Sequence, residues 1–328
     1  MDQRKLYQTA IDEAGSGDTV LATCVEGPCQ GSKALFRAGT LLTALPAEAE
    51  PFWRQVRLPE DGRFCGLIAA PEESEIFCDP LLPESRLVII GAGHVACALA
   101  AMARDCGFAV AVADDRAGLL TAERFPGCDL FDDYAAGITA YSGGNCYFAV
   151  MAADHETSEK CLAAVMKRPY AYAGMIGAAR RRPAVLEKLR QAGVPEEKLA
   201  ELALPIGLDI GAETPAEVAV SILAQLIARR RQLAGGAACY IPVFQELTRE
   251  AEAQVLATVI RTAGSAPRNC GARLIRRPDG SILGSVGGGS VEEDVLFVAA
   301  MTMEDGVPRR VFSQSNAGGR VEVFVERI

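Results

Sequence analysis

A chain of 328 residues, half of them hydrophobic, is long enough to bury a sizeable core and to divide into two or three domains. A net charge of −9 and an isoelectric point near 5.0, with no long basic run, argue against a nucleic-acid surface. No stretch reaches the roughly 20 uninterrupted apolar residues of a membrane span, and the opening Met1-Asp2-Gln3-Arg4-Lys5 leads into no secretory core, so no membrane contact and a cytoplasmic location are expected. The eleven cysteines are scattered, odd in number and without a C-x-x-C pair, which implies neither a disulfide framework nor a zinc site.

Residues 1–85 read as an α+β segment. Apolar spacing predicts a helix over 5–14, a strand over 20–25, a hairpin of 34–37 and 40–42 through Ala38-Gly39, and a last strand over 75–78. Around Trp53 the chain carries Pro, Glu and Gly without a clear period.

The stretch 86–116 has the firmest order. Leu87, Val88, Ile89 and Ile90 make a short branched run of the kind found in buried parallel strands. It breaks at Gly91-Ala92-Gly93 into a small-residue helix over 95–103, and a second apolar run over 108–113 ends on Asp114 and Asp115. Strand, glycine turn, helix, then a strand with an acidic tip about twenty residues on, is the dinucleotide fingerprint of a Rossmann-like unit. Gly91 allows the tight turn, Gly93 lets backbone approach a phosphate, Ala96 keeps the helix near the strand, and the helix N-terminus offers N–H groups to an anion. A carboxylate at Asp114 or Asp115 is placed for a ribose hydroxyl. A doubly wound sheet whose turn holds nothing is the alternative.

The alternation continues with strands over 147–151 and 170–176, the latter ending in Gly177, and helices over 158–168 and 183–192, which together imply a parallel sheet. Thr214 is a natural N-cap and Pro215 the first residue of a helix to 231, with Val218, Ile222, Leu223 and Ile227 as its core stripe. His155 follows a strand at the edge where open α/β sheets bind ligands. His94 either reaches a bound group or packs on the strand end, and Asp209, set among Gly207 and Gly211, either closes a site or braces a turn. No Ser-His-Asp order or H-E-x-x-H is present, so no catalytic residue and no metal ligand is assigned.

The N-terminal pattern returns at the far end. Val20-Leu21-Ala22-Thr23 recurs as Val255-Leu256-Ala257-Thr258, the segment from 31 to 41 aligns with that from 271 to 282, and Glu75-Ile76-Phe77 recurs as Glu322-Val323-Phe324. Only the second copy keeps Gly264-Ser265-Ala266-Pro267-Arg268 and Gly287-Gly288-Gly289-Ser290.

Gly91-Ala92-Gly93-His94-Val95-Ala96, Asp115-Arg116, Glu123-Arg124-Phe125-Pro126, Asp154-His155, Gly174-Met175-Ile176-Gly177 and the run 205–221 resemble the Rossmann domain of the XdhC/CoxI family. The glycine loops of the second flank resemble that family's CoxI-type domain. Together these motifs span nearly the whole chain. The expected fold is α/β: a Rossmann-like parallel-sheet domain at 86–235, flanked by a degenerate α+β CoxI-like segment at 1–85 and a fuller CoxI-type domain at 236–328.

The resemblance implies a maturation chaperone more than a catalyst. Its ligand would be molybdenum cofactor, a molybdopterin, protected during sulfuration and delivered to the apoenzyme of a xanthine dehydrogenase-type molybdenum hydroxylase. A cysteine desulfurase is a further implied partner, and a homodimer is expected. The cofactor-binding residues assigned are Gly91, Gly93, His94, Asp114, Asp115, Arg116, His155, Gly177 and Asp209, together with Ser265, Arg268, Gly287, Gly288, Gly289 and Ser290. Arg116 and Arg268 are the anion partners, since arginine suits bidentate phosphate contacts. Ser290 and Ala317 stand where family members often carry cysteine, which leaves Cys270 as the nearest thiol. An NAD(P)-dependent oxidoreductase and a purely structural scaffold are the competing readings.

Overall fold

The computed structural model describes residues 3–14, 18–233, 241–249 and 252–328. They fall into two compact units, one of Glu84–Leu233 and one assembled from both flanks, Met1–Pro83 with Ala234–Ile328. The segment boundary expected at 235–236 lies outside the described residues.

The first flank runs α1 (Gln3–Ala14), β1 (Thr19–Glu26), β2 (Lys33–Arg37), β3 (Thr40–Leu45), α2 (Glu50–Trp53), β4 (Gly66–Ala70) and β5 (Ser74–Leu81). Its sheet has the order β3-β2-β1-β5-β4 with antiparallel neighbours. Ala38 and Gly39 turn the predicted hairpin with φ of 48° and 74°, the left-handed pair that matches strand twist. The stretch without a sequence period folds around one residue: Trp53 is wholly buried, with Phe52 and Phe36 ring centroids 5.3 and 6.3 Å away.

The middle unit runs β6 (Arg86–Ile90), α3 (His94–Asp105), β7 (Ala109–Ala113), β8 (Asp129–Phe131), α4 (Tyr134–Ala140), β9 (Cys146–Val150), α5 (His155–Met166), β10 (Tyr172–Met175), α6 (Arg182–Gln191), α7 (Glu196–Glu201) and α8 (Pro215–Leu233). The order β10-β9-β6-β7-β8 is parallel throughout, so the sheet is Rossmann-like with β6 at its centre. Alternate residues of β6 serve opposite faces: Leu87 and Ile89 join one core with α3 and α8, Val88 and Ile90 the other with α5 and α6. At the start of α8, Thr214 Oγ1 accepts from Glu217 N–H while the Glu217 carboxylate accepts from Thr214 N–H, a capping box.

The second flank runs α9 (Ile241–Arg249), β11 (Val255–Ala263), β12 (Arg273–Arg276), β13 (Ile282–Gly284), α10 (Gly289–Asp305), β14 (Arg309–Gln314) and β15 (Arg320–Arg327). Its order, β13-β12-β11-β15-β14, is that of the first flank strand for strand. Equivalent positions meet in one shared core: Leu21 with Leu256, Leu35 with Ile275, and Tyr7 with Phe244, whose rings are 5.1 Å apart.

Two buried ion pairs cross between the copies in opposite directions. Lys33 of β2 donates to Glu326 of β15 at 2.6 Å, and Arg273 of β12 pairs with Asp79 of β5. Lys33 and Arg273 are equivalent in the repeat, as are Asp79 and Glu326. Each copy therefore gives a cation to the other and takes one back. This exchange joins the flanks into one unit.

Candidate ligand-binding site

All five strands of the middle unit point the same way, so their C-terminal ends share one edge, where parallel sheets hold ligands. The turns after β6, β7, β9 and β10 carry Gly91–His94, Asp114–Arg116, Ala152–His155 and Gly177–Arg181 in that order along the chain. A further segment, 202–206, lies parallel beside β10: Ala203 N–H donates to Ala173 and Ile206 N–H to Met175. The loop 207–211 is thereby brought to the same edge. The fold gathers Gly91, Gly93, His94, Asp114, Asp115, Arg116, His155, Gly177 and Asp209 along one rim.

The glycine turn separates the reasons for glycine. Gly91 has φ of +116°, and a Cβ there would lie 2.3 Å from Met151 O, so both conformation and packing demand glycine. Gly93, the N-cap of α3, has an ordinary φ of −73°, and a Cβ there would meet nothing within 4 Å. Neither strain nor a protein neighbour explains Gly93. The space it leaves opens at a helix N-terminus, where backbone N–H groups and the helix dipole favour an anion.

Around the turn, Asp114 is wholly buried and accepts from Ala92 N–H at 2.6 Å, from Arg116 N–H at 2.9 Å, and from Arg116 Nε and Nη2 at 2.8 and 2.7 Å. Burial alone would raise its pKa, but the Arg116 side chain and the two backbone N–H groups outweigh it and hold the carboxyl below the usual range. The carboxylate expected at a ribose hydroxyl is turned inward and ties the tip of β7 to the turn after β6. Asp115 is exposed and accepts from Tyr134 Oη at 3.1 Å. The Arg116 side chain remains 45% exposed.

His94 opens α3, is exposed, and makes no hydrogen bond among the described residues, so it does not pack on the strand end. His155 opens α5 and is exposed, while Asp154 before it caps that helix by accepting from Thr157 N–H at 2.8 Å.

Three arginines at this edge carry structural roles that spacing alone does not assign, and a fourth is left free among the described residues. Arg124 donates to Ala92 O at 3.0 Å and Leu119 O at 2.6 Å, bracing the glycine turn from outside. In the run Arg180-Arg181-Arg182, Arg181 pairs with Glu159 at 2.9 Å and Arg182 donates to Leu202 O and Leu204 O, fixing the segment beside β10. Arg180 is exposed and makes no such contact among the described residues, leaving a free cation two turns from Gly93.

The flank unit holds the other assigned residues in a second cluster. Gly287, Gly288 and Gly289 have φ of +142°, +68° and +55°, and Gly288 caps α10. Gly288 N–H donates to the Glu292 carboxylate at 2.7 Å, and Ser290 Oγ is shared between Gln314 O at 2.9 Å and Asn316 Oδ1 at 3.1 Å. A Cβ on Gly287 would lie 2.5 Å from Pro267 Cγ, and one on Gly319 would lie 2.4 Å from Ser265 O. These glycines thus serve close packing of three loops. Ser265 and Arg268 are exposed on the first loop, and Arg268 has no ion pair among the described residues. Cys270 lies apart from these contacts: its Sγ is 3.6 Å from Ile260 O, and burial pushes its thiol up.

Residues 87–226 match the XdhC Rossmann domain, and residues 247–313 match the XdhC and CoxI family. The chain is 36% identical over 154 residues to the Escherichia coli K12 protein YqeB, described as uncharacterized, covering 46% of this chain and 28% of that protein. It is 30% identical over 172 residues to a probable xanthine dehydrogenase subunit from Bacillus subtilis strain 168, covering 50% of this chain and 48% of that one. The chain thus spans less than half the length of either curated relative. Its fold is similar to that of a crystal structure of a xanthine dehydrogenase from Bacillus halodurans, with a TM-score of 0.54 at 21% identity over 74% of this chain and 70% of that one.

Proposed function

We propose, for a chain that belongs to the XdhC/CoxI family, that the middle unit binds molybdenum cofactor by its phosphate and hands it to an apoenzyme of the xanthine dehydrogenase type. The family's association with xanthine dehydrogenase supports the client class, and no described helix is long and apolar enough to cross a membrane. The observation that carries the reading is Gly93. Its missing Cβ leaves open space at the N-terminus of α3, which suits the terminal phosphate of a molybdopterin.

Gly93 and the backbone at the start of α3 would receive the phosphate, with the exposed part of Arg116 and the free Arg180 supplying positive charge along the rim. Asp114 and Arg124 hold the turn in shape. The bound cofactor supplies the molybdenum chemistry of the client enzyme, and this chain's contribution is to hold and release it. Burial raises the thiols of Cys24, Cys65, Cys78, Cys161 and Cys270 away from the thiolate form, and a partner cysteine desulfurase would supply the sulfur. A homodimer would use surfaces other than the flank faces already paired within the chain. The nicotinamide alternative loses Asp114 as a diol ligand and rests on Asp115.

The test is co-expression with an active molybdopterin pathway, followed by pterin fluorescence and metal analysis of the purified protein. Wild type is expected to carry pterin and Gly93→Val to lose it while staying folded, with a melting temperature lowered only by the poorer helix cap, since the added Cβ meets no protein atom within 4 Å. Wild-type protein without pterin that binds NADH or NADPH would establish the oxidoreductase instead.

A further inference from the structure

We infer that the loop 207–211 grips the donor edge of a 2-amino-4-oxo-pyrimidine ring, the head group shared by pterins and guanine; the inference rests on the strand ends being the ligand site. The sequence left Asp209 with two roles, closing a site or bracing a turn. In the structure other residues brace the turn. Gly207 N–H donates to Gln225 Oε1 at 2.8 Å, Leu208 N–H donates to Ser221 O at 3.2 Å, and a Cβ on Gly207 would lie 2.4 Å from Ser221 Oγ. Asp209 accepts no hydrogen bond and makes no ion pair among the described residues.

What the loop presents is an unusual surface: an exposed carboxylate between two exposed aliphatic side chains, Leu208 at 45% and Ile210 at 54% exposure. Both flank the carboxylate on a loop whose start is anchored at Gly207 and Leu208. A carboxylate is acceptor-only, with two oxygens in one plane. Its complement is a pair of parallel N–H donors, which the ring N–H and exocyclic 2-amino group of pterin or guanine provide. An adenine edge offers one donor and one acceptor and does not match. Leu208 and Ile210 supply the apolar contact that a flat ring needs beside that polar edge.

Position agrees with this chemistry. The segment 202–206, β10, β9 and β6 are consecutive neighbours, so the loop lies three strand spacings, about 14 Å, from the turn at Gly93. Phosphate at Gly93 and ring at Asp209 would orient an extended ligand along the rim, past Arg180 on the intervening turn.

The full-length protein is titrated by calorimetry with GMP and with IMP, which differ only in the 2-amino group, for wild type, Asp209→Asn and Asp209→Ala. Wild type is expected to bind GMP about ten- to a hundredfold tighter than IMP, the range for a hydrogen bond to a charged acceptor. Both variants should bind the two nucleotides alike, with melting temperatures unchanged because Asp209 holds nothing in the fold. Equal binding of GMP and IMP by wild type, or no binding of either, overturns the inference. Pterin retention separates it from the cofactor reading. Pterin held equally by wild type and Asp209→Asn overturns the loop assignment and leaves the cofactor reading standing. Pterin lost from Asp209→Asn alone supports both. GMP preference in a wild type that never carries pterin supports the loop assignment with guanine as its source, and removes the cofactor reading.

Discussion

In the first flank the chain passes from β3 to β4 through residues 46–65 and covers one face of its sheet with α2 and the buried Trp53; in the second it passes from β13 to β14 through 285–308 and covers the equivalent face with α10. The sheets agree in strand order, and each has a bulge at the matching place, between Cys24 and Glu26 in one and between Val259 and Arg261 in the other. The strap differs. A long helix has an N-terminus with unpaired N–H groups and a dipole end, whereas a four-residue helix offers neither to any useful extent. The glycine loops accompany the copy with the helix. The other copy fills its space with an aromatic plug and retains the sheet, the paired face and half of each exchanged ion pair. One copy can lose its loops while the sheet it contributes stays indispensable to the other.

The comparison breaks most severely at the plug. Trp53→Ala removes a wholly buried ring packed between Phe36 and Phe52, and should cost about 3–5 kcal/mol, read as a lower urea midpoint. Because the two copies share a core, the loss should appear in both flanks as one cooperative transition; a first flank that melts alone would show the pairing to be superficial. The ion-pair exchange comes next. Lys33→Met leaves Glu326 buried without its cation and should cost about 3 kcal/mol, while Lys33→Met with Glu326→Met should recover most of it. The Lys33 charge also acts on Asp79, so the same double replacement at Asp79 and Arg273 should couple to the first rather than simply add, which a four-residue mutant cycle measures.

These same residues show how much of the fold was legible in the sequence. The repeat was visible because strand-forming runs keep their apolar residues, as in Val20-Leu21 and Val255-Leu256, and the parallel sheet because branched runs alternate with helical ones. The exchange of partners between Lys33, Glu326, Asp79 and Arg273 was not, since pairs 293 and 194 residues apart leave no local pattern. α2 was missed because one buried tryptophan organises a stretch without a period, and β8 because a three-residue edge strand is too short to show one. At the C-terminal edge of the parallel sheet, composition and spacing placed the turn and Asp114, but the direction of that carboxylate is set by Arg116 two residues on. Nor does sequence distinguish Arg180 from Arg181 and Arg182. Their partners, Glu159, Leu202 and Leu204, belong to other elements, and only the fold shows which guanidinium is left over.

The smallest effect separates geometry from function in the two copies. Gly39 and Gly288 both have positive φ, +74° and +68°, but Gly288 combines it with ψ of 178°, a region open almost only to glycine; a Cβ on Gly39 meets nothing within 4 Å, and one on Gly288 meets only Glu292 Oε2 at 3.8 Å. Alanine should therefore cost about 1 kcal/mol of left-handed strain at Gly39 and about 1–3 kcal/mol at Gly288, each read as a lowered melting temperature. Gly39 sits in a hairpin of the copy without loops, so Gly39→Ala measures strain alone. Gly288 N–H already donates to the Glu292 carboxylate, which occupies the N-terminus of α10 as an anion would. If that loop receives an anion in place of Glu292, Gly288→Ala will weaken the binding of inorganic phosphate at a temperature where both variants are folded, while Gly39→Ala will not. Equal phosphate binding by both would show that the glycines of the second copy, like the tryptophan of the first, serve the packing of the strap.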